Sequence, residues 1–319
     1  MKQHVREVTP SSFAETVQIV AEFVRQEIVR ETKAKKLYYH TIDHAVAVRQ
    51  RADQIFEAIQ SVSTIDATED VIRLRHLLGL CAFAHDMVQV FADTELSHSA
   101  RKRDPGISET ATLEKLLEYL QQLNQTLEQQ HYHRSLMFGD RDLSIIQEAI
   151  MATVCQLDPQ AGRTSYSFSK YSIYQPYLYQ DLSQASIVAK ILALADLGTL
   201  GMVGIEQYLK EGILVFLEDN LDLENLILHG KLPPKHLEAL VKTRLLNMAR
   251  FMVSLAEERK ARFHLEIASF STSARQVLEE QVFIYLNPAT IKQIKQIVPT
   301  AETTTLSELI EFFTLEVKS

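Results

Sequence analysis

Apolar residues recur at three- and four-residue steps along most of the chain, which is the spacing of an amphipathic helix. Ser12 and Glu15 have the spacing of a capping box, which predicts that a helix begins beside them. The apolar residues that follow at helical intervals are Phe13, Val17, Val20, Val24 and Ile28. A helix is therefore predicted near the N-terminus.

The same period continues through the rest of the chain, and alternating strand patterns are nearly absent. A last helix is predicted to begin at a second capping box, from Thr305 to Glu308. Asp104-Pro105-Gly106 marks residues 91–108 as a surface loop. The other helices are predicted at about 40–55, 69–90, 108–130, 143–153, 183–200, 207–218, 236–256 and 274–285. The predicted fold class is all-α.

The composition agrees with a helical globular chain and argues against two classes of binding partner. Hydrophobic residues make up 46% of the 319 residues and charged residues 23%, which excludes a disordered chain. The 9 glycines and 8 prolines are too few for the turns of a β-sandwich or barrel. The net charge is −8 and no basic tract offsets it, so neither a nucleic acid nor a membrane surface is expected as a partner.

The two cysteines, Cys81 and Cys155, cannot form a disulfide framework, and the N-terminal residues lack the apolar core of a signal peptide. We therefore expect a cytoplasmic protein. The most apolar window, residues 187–205, contains Lys190 and Asp196. Because a membrane span rarely carries a carboxylate at its centre, this window predicts a buried helix with a functional acid.

Three histidines and two aspartates stand out in the sequence, and three of these five residues lie in or beside apolar runs. His40 and His44 are four residues apart, which predicts that they share one face of a helix. His85-Asp86 follows the apolar run 77–84, and Asp196 lies within the apolar window. Buried carboxylates and imidazoles are costly unless they are paired or bind a cation. A shared divalent metal meets that need, and mixed nitrogen and oxygen ligands suit Mn, Fe, Ni, Co or Zn.

These residues resemble a known signature. The order His44, His85-Asp86, Asp196 is similar to the H…HD…D pattern of the HD-domain metal-dependent phosphohydrolases. Residues 39–45, YHTIDHA, resemble the YHNxxHA motif of cyclic-nucleotide phosphodiesterases and several bacterial HD proteins. Residues 195–201, ADLGTLG, and the pair Ser108-Glu109 resemble further elements of predicted bacterial HD phosphohydrolases. The resemblance covers about residues 35–205.

The resemblance implies an HD-domain helical bundle over residues 1–285, followed by a C-terminal helical extension over residues 286–319. It implies one divalent metal held by His44, His85, Asp86 and Asp196. It also implies hydrolysis of a small phosphate ester, with nucleotides among the candidates, by a metal-activated water. His40, Asp86 and Glu109 are then the candidate catalytic residues, with His40 protonating the leaving oxygen.

The sequence departs from the family pattern in ways that keep other functions open. Thr41 replaces the motif's Asn, Ala47 replaces a frequent acidic residue, and no histidine follows Thr153 closely. A cyclic-nucleotide phosphodiesterase is one alternative. A non-catalytic HD module that senses metal or nucleotide is the other. The oligomeric state is left open, with an oligomer among the alternatives.

Further candidates surround this pattern. Arg101, Lys102 and Arg103 follow the dyad and offer donors for substrate phosphate, as does Lys190 in the buried helix. Arg101, Arg103 and Lys190 are the predicted substrate-binding residues. Six aromatic residues lie within residues 166–179, where rings can stack on a nucleobase or pack within a loop.

Overall fold

The computed structural model describes residues 9–62, 70–92, 99–157 and 172–315 of the chain. Across these ranges the regular structure is almost entirely helical, which confirms the predicted all-α class. A two-stranded antiparallel sheet pairs β1 (Gln156–Leu157) with β2 (Ile173–Tyr174). The helices are α1 Phe13–Lys35, α2 Ile42–Ile59, α3 Val71–Ala84, α4 Ile107–Gln129, α5 Asp140–Met151, α6 Ile187–Asp196, α7 Thr199–Met202, α8 Ile205–Asp219, α9 Glu224–His229, α10 Glu238–Glu266, α11 Thr272–Val277, α12 Pro288–Ile297 and α13 Leu306–Phe313.

Both predicted helix starts are confirmed. The Ser12 hydroxyl accepts a hydrogen bond from the Glu15 backbone N–H at 3.3 Å, at the N-terminus of α1. At the N-terminus of α13, Thr305 and Glu308 form a complete capping box. These bonds satisfy backbone donors that have no partner within the helix, so each fixes where its helix begins.

Helix α3 is the centre of the first core and packs against α1, α2 and α6. Every residue from Leu77 to Ala84 is buried, so the C-terminal half of this helix is apolar on all sides rather than on one face. Its N-terminus is held by Asp70, whose carboxylate accepts from the Arg73 N–H. Because α3 is buried along its C-terminal half, it delivers the residues that follow it into the interior.

Two of the predicted helix bounds that are wrong concern candidate site residues. Helix α2 begins at Ile42 after an N-cap at Thr41, so His40 precedes the helix instead of sharing a helical face with His44. Helix α3 ends at Ala84, and His85 is its C-cap rather than a residue within a helix that continues to residue 90. The periodicity of apolar residues predicted both helices correctly, but it continues past the points where the backbone leaves the helix.

The apolar window of residues 187–205 forms two helices, α6 and α7, rather than one. Ser186 caps α6 by accepting from the Ala189 N–H, and every residue from Val188 to Ala195 is buried. The window therefore contains the predicted buried helix, with Asp196 as its last residue. None of the described helices combines the length and the apolar character needed to cross a membrane.

The described side chains form two hydrophobic cores. The first is built mainly by α1–α6 and includes Phe263 and Phe283 from the C-terminal half of the chain. The second is built by α8, α9 and α10 together with α12 and α13. The predicted division at residue 286 stays a prediction, although α12 and α13 share a core with helices that precede it. Helix α10 contributes side chains to both cores.

Gly201 in α7 lies where the two cores meet. A Cβ atom at this position would lie 2.6 Å from Phe283 Cδ1 and 2.9 Å from Leu286 Cγ, so no side chain fits without displacing its neighbours. The glycine therefore allows α7 to approach the segment that precedes α12.

We expect Gly201→Ala to lower the free energy of unfolding by about 1–3 kcal/mol, because overpacking a filled site forces its neighbours apart. Gly79→Ala in α3 is the matched control, since its Cβ would meet only the flexible Arg49 side chain, at 3.4 Å. That change should be neutral or stabilising by up to about 1 kcal/mol. Denaturant unfolding of both variants measures the difference, and equal effects would contradict the packing described for Gly201.

Candidate metal centre

Four side chains converge at the ends of three helices. His44 lies in the first turn of α2, His85 and Asp86 directly follow α3, and Asp196 ends α6. Each residue offers one nitrogen or oxygen atom, and these four atoms all lie within 4.8 Å of one another. The structure thus brings together the four residues that the sequence predicts as metal ligands.

The pairwise distances suit one small cation. His85 Nε2 lies 2.9 Å from Asp86 Oδ2 and 3.4 Å from Asp196 Oδ1. His44 Nε2 lies 3.2 Å from Asp86 Oδ2 and 4.0 Å from Asp196 Oδ1. Ligands bound at about 2.1 Å from a single metal ion are separated by roughly 3–4 Å. The four groups could therefore hold one metal ion.

The protonation of His85 gives an independent test of this fit. Its Nδ1 lies 3.0 Å from the Ala82 carbonyl oxygen, which assigns the Nδ1 proton to that hydrogen bond. The buried Nε2 faces two carboxylates, yet no hydrogen bond within the described residues satisfies it. Two carboxylate oxygens at these distances call for positive charge at Nε2, which either a proton or a shared metal ion supplies. The donor set therefore fits a metal ion.

The electrostatics of the cluster point in the same direction. Burial lowers the pKa of His44, and hydrogen bonding to Asp86 offsets this only in part, so the neutral imidazole that binds metals is favoured. Burial alone would raise the pKa of Asp86, but the charges of His85 and His40 hold it well below its usual range. Burial also opposes protonation of His85, yet Asp86 and Asp196 raise its pKa well above the ordinary value. The carboxylates thus attract positive charge strongly.

Neighbouring side chains fix the two carboxylates. Gln175 donates to Asp196 Oδ2 at 2.9 Å, and Gln89 donates to Asp86 Oδ1 at 3.1 Å. The buried Arg51 donates from Nε to the Ala195 carbonyl oxygen at 2.7 Å, which anchors the end of α6. These bonds leave Asp86 Oδ2 and Asp196 Oδ1 directed at the histidines, so the geometry is held before any ion binds.

His40 lies beside the cluster but is not part of it. Its Nε2 is 3.7 Å from Asp86 Oδ2, while its Nδ1 is 2.5 Å from Glu218 Oε1. Burial lowers the pKa of His40, but the charges of Glu218 and Asp86 outweigh it and raise the pKa above the ordinary value. His40 is therefore an oriented imidazole whose second nitrogen faces the metal ligands.

Glu218 in α8 is the residue that holds His40. Its Oε2 accepts three backbone N–H bonds, from Tyr38, Tyr39 and His40, at 3.0–3.1 Å. Its Oε1 also accepts from Arg103 at 3.0 Å. Burial opposes the ionisation of Glu218. The charge and hydrogen bond of His40, with smaller contributions from Arg103 and the backbone N–H of Tyr39, nevertheless hold the pKa of Glu218 far below its usual range. A fully buried, ionised carboxylate thus fixes both the backbone and the ring of His40.

A cavity of about 440 Å³ opens beside the cluster, lined by His40, Asp86 and Asp196 and bounded by α8 and α10. The imidazoles of His44 and His85 are 2% and 1% exposed, whereas Asp86 and Asp196 are 19% and 12% exposed. The carboxylates therefore form the open side of the cluster. Glu109 also lines this cavity, and burial together with the charge of Asp86 raises its pKa.

The predicted substrate-binding residues have different positions. Arg103 lines the cavity, but it already donates to Glu218 and Asp219. Arg101 lies outside the cavity wall, where it donates to the Glu218 carbonyl oxygen and covers the Phe91 ring. Lys190 is 9% exposed and is also absent from the wall. The geometry gives neither Arg101 nor Lys190 a direct contact with a ligand in this cavity.

The predicted aromatic segment is described only in part, because residues 166–171 lie outside the described residues. The rings that remain are held by other groups: Tyr177 donates to Glu148 at 2.7 Å, and Tyr179 donates to Glu266 at 2.8 Å. Tyr174 packs edge-on against Tyr179. None of these three rings lines the cavity, so they do not form the predicted base-stacking surface there.

Sequence reasoning missed several residues that position the site. Glu218 ends the apolar run 213–217 of α8 and could have been identified by the argument applied to Asp196. Gln89 and Gln175 carry no such signal, because an uncharged amide is common in loops and helices. Their role depends on contacts across the fold that no local pattern records.

Comparisons of this chain with protein-family models, with curated proteins and with solved structures find no match. The resemblance to the HD-domain phosphohydrolases consequently stays a prediction that depends on the sequence motif.

We expect the purified protein to take up about one divalent metal per chain and Asp86→Ala to abolish this uptake, because Asp86 Oδ2 is the oxygen that approaches both histidines. Asp53→Ala, which removes a carboxylate from the same helix as His44 but outside the cluster, should leave the metal content unchanged. Elemental analysis after dialysis against a divalent metal measures both. Equal metal content in the wild type and Asp86→Ala would show that the cluster is not the site.

A chelator should lower the melting temperature of the wild type and leave that of His44→Ala nearly unchanged. A ligand bound only by the native state adds about 4 kcal/mol at a thousandfold excess over its dissociation constant. For a chain of this size each kcal/mol corresponds to roughly 2–4 °C. Thermal melts with and without chelator test this, and a wild-type melting temperature that does not respond would exclude the metal from the stability of the fold.

Proposed function

We propose that the protein is a metal-dependent phosphohydrolase of the HD type that acts on a small phosphate ester, with nucleotides among the candidate substrates. The observation that carries the proposal is the buried histidine and aspartate cluster, which opens onto a cavity beside an oriented imidazole that is not one of its members. Metal-assisted hydrolysis needs an ion, space for an ester and a proton donor, and these features supply a place for each.

His44, His85, Asp86 and Asp196 would hold the ion. A divalent metal bound there would act as a Lewis acid and lower the pKa of a water molecule toward about 7. The two nitrogen and two oxygen donors favour Mn, Fe, Ni, Co or Zn over an ion that prefers oxygen alone. The partly exposed carboxylates lie on the cavity side, so a phosphate group would approach the ion from that direction.

His40 would protonate the leaving oxygen of the ester. Glu218 accepts from its Nδ1 at 2.5 Å, which leaves Nε2 directed toward Asp86 and the cavity. A general acid must lie within hydrogen-bond reach of the oxygen that it protonates, and only a group beside the metal ligands meets this condition. Glu218 would act through His40 as a positioning residue, because it holds both the ring and the preceding backbone.

Glu109 and Arg103 are the other residues of the cavity wall with assigned roles in this proposal. Glu109 lies beside the carboxylates with a raised pKa, which suits a group that exchanges a proton with water or product. Arg103 would hold Glu218 and complement the charge of a phosphate group near His40. Arg101 and Lys190 do not line the cavity, and we assign them no contact with substrate.

The two alternative functions predict different outcomes in one assay panel. A cyclic-nucleotide phosphodiesterase would hydrolyse cyclic diesters in preference to monoesters. A non-catalytic sensor module would bind metal and show no turnover of any ester. We propose monoester hydrolysis in the cytoplasm, and a panel of phosphate monoesters and cyclic diesters across several divalent metals tests it.

We expect His40→Ala to retain the metal and to lower kcat by roughly 10²–10⁴-fold on an alkyl phosphate. The loss should be smaller on nitrophenyl phosphate, because a good leaving group needs little protonation. His229→Ala, which changes an exposed histidine at the end of α9, is the control. Metal content and rates on both esters measure the effect.

Each contrary result for His40 has a distinct meaning. Loss of the metal in His40→Ala would make His40 a ligand rather than a general acid. Wild-type rates on both esters would remove His40 from the chemistry. Failure of the wild-type protein to hydrolyse any ester while it binds one metal would favour the sensor module.

A further inference from the structure

The cavity beside the metal cluster is lined by two chemically different sets of side chains. One set includes the carboxylates Asp86 and Asp196, and the other comes from α8 and α10. Its volume of about 440 Å³ is within the range of sites for small organic molecules and exceeds what a phosphate group alone would fill. The wall formed by α8 and α10 therefore bears on what the phosphate is attached to.

That wall is largely apolar. Helix α10 directs Met248, Phe251, Met252 and Leu255 at the cavity, and Phe216 of α8 lies among the same wall residues. The four positions on α10 are spaced by three, one and three residues, so they form one face of the helix. Thioether and aromatic side chains of this kind accommodate a flat or bulky apolar group.

Arg259 ends this apolar face and is the one feature there that demands a polar partner. It lies one further turn along α10, lines the same cavity and is 6% exposed. Its Nη1 donates to Glu266 Oε2 at 2.5 Å, and Glu266 Oε1 in turn accepts from Tyr179. Its Nη2 is buried and has no hydrogen-bond partner in the part of the chain that the structure describes.

An unsatisfied donor on a buried guanidinium is unfavourable, and native proteins rarely keep one without a function. Glu266 already compensates the charge of Arg259, so what is missing is a hydrogen-bond acceptor rather than a counter-ion. An acceptor supplied by a ligand in the cavity would satisfy Nη2. Because the charge is already compensated, a neutral oxygen on the organic part of a substrate suits Nη2 better than the charged phosphate.

We propose that Arg259 is a substrate-recognition residue that donates from Nη2 to an oxygen acceptor on the organic part of the substrate. The substrate class is a phosphate monoester of an apolar or aromatic group that carries a carbonyl oxygen. Nucleotides with a carbonyl-bearing base fall within this class. The assignment of the phosphate end rests on the proposed function, whereas the Arg259 contact can be measured without turnover.

The test uses inert phosphonates in two pairs of different length, with and without the acceptor. The pairs are benzylphosphonate with 4-acetylbenzylphosphonate, and 4-biphenylmethylphosphonate with its 4′-acetyl derivative. Isothermal titration of the metal-loaded protein measures binding. We expect the acetyl compound of at least one pair to bind the wild type about tenfold more tightly than its parent, as for a hydrogen bond to a charged donor.

Arg259→Met should remove this preference and leave the affinity for the parent compound unchanged. Arg262→Met removes a guanidinium from the same helix at a position that does not line the cavity, and it should retain the preference. If Arg259→Met fails to fold because Glu266 is left buried, the comparison is made between Glu266→Gln and the double variant of Arg259→Met with Glu266→Gln. The contrast between paired compounds on the wild type needs no variant.

The outcomes separate this inference from the proposed function. No acetyl preference in either pair, or a preference that survives Arg259→Met, would overturn the role of Arg259. A preference that depends on Arg259 in a protein that hydrolyses no ester would support the recognition role and contradict the phosphohydrolase. Hydrolysis without an Arg259-dependent preference would support the phosphohydrolase and contradict the recognition role of Arg259.

Discussion

The cost of removing two carboxylates from water is the constraint on which the site depends. Asp86 and Asp196 lie in an interior built from Leu, Ala and Ile side chains, where an unpaired charge is penalised by several kcal/mol. The fold offsets this cost by placing the imidazoles of His44 and His85 at 2.9–4.0 Å from their oxygens. Imidazoles do this when they are protonated or when they share a cation with the carboxylates, so the demand for charge compensation and the capacity to bind a metal have one structural origin.

The ligands lie at helix ends because the interior of a packed helix leaves no space for convergence. The C-terminal half of α3 is apolar on all sides, and only where the helix stops at Ala84 can His85 and Asp86 turn toward neighbouring helices. Asp196 is likewise the last residue of α6, and Arg51 secures that end by donating to the Ala195 carbonyl oxygen. The backbone groups left without partners at such ends are bound by side chains, so the site gains rigidity from the bonds that terminate its helices.

Sequence alone predicted the fold class, the principal helices and the four clustered residues, because each depends on a local pattern or on a polar residue in an apolar run. It placed His40 within a helix, since periodicity does not detect a backbone that turns at Thr41. It did not find Glu218, which is 178 residues from His40 in the chain and contacts it only in the fold. It also predicted both Arg101 and Arg103 as substrate-binding residues, although only Arg103 lines the cavity. The sequence does not distinguish them, because the direction of a loop side chain depends on tertiary contacts.

The two cores contribute different residues to the wall of the cavity. The first core holds the cluster, where the two carboxylates are fixed by Gln89 and Gln175 and little can change without loss of charge compensation. The second core contributes the apolar face of α10, none of whose residues belongs to the cluster. Glu218 connects the two, because it belongs to α8 yet fixes His40 beside the cluster. In the proposed phosphohydrolase, a change of substrate would therefore involve α8 and α10 side chains first, and Glu218 would connect such a change to His40.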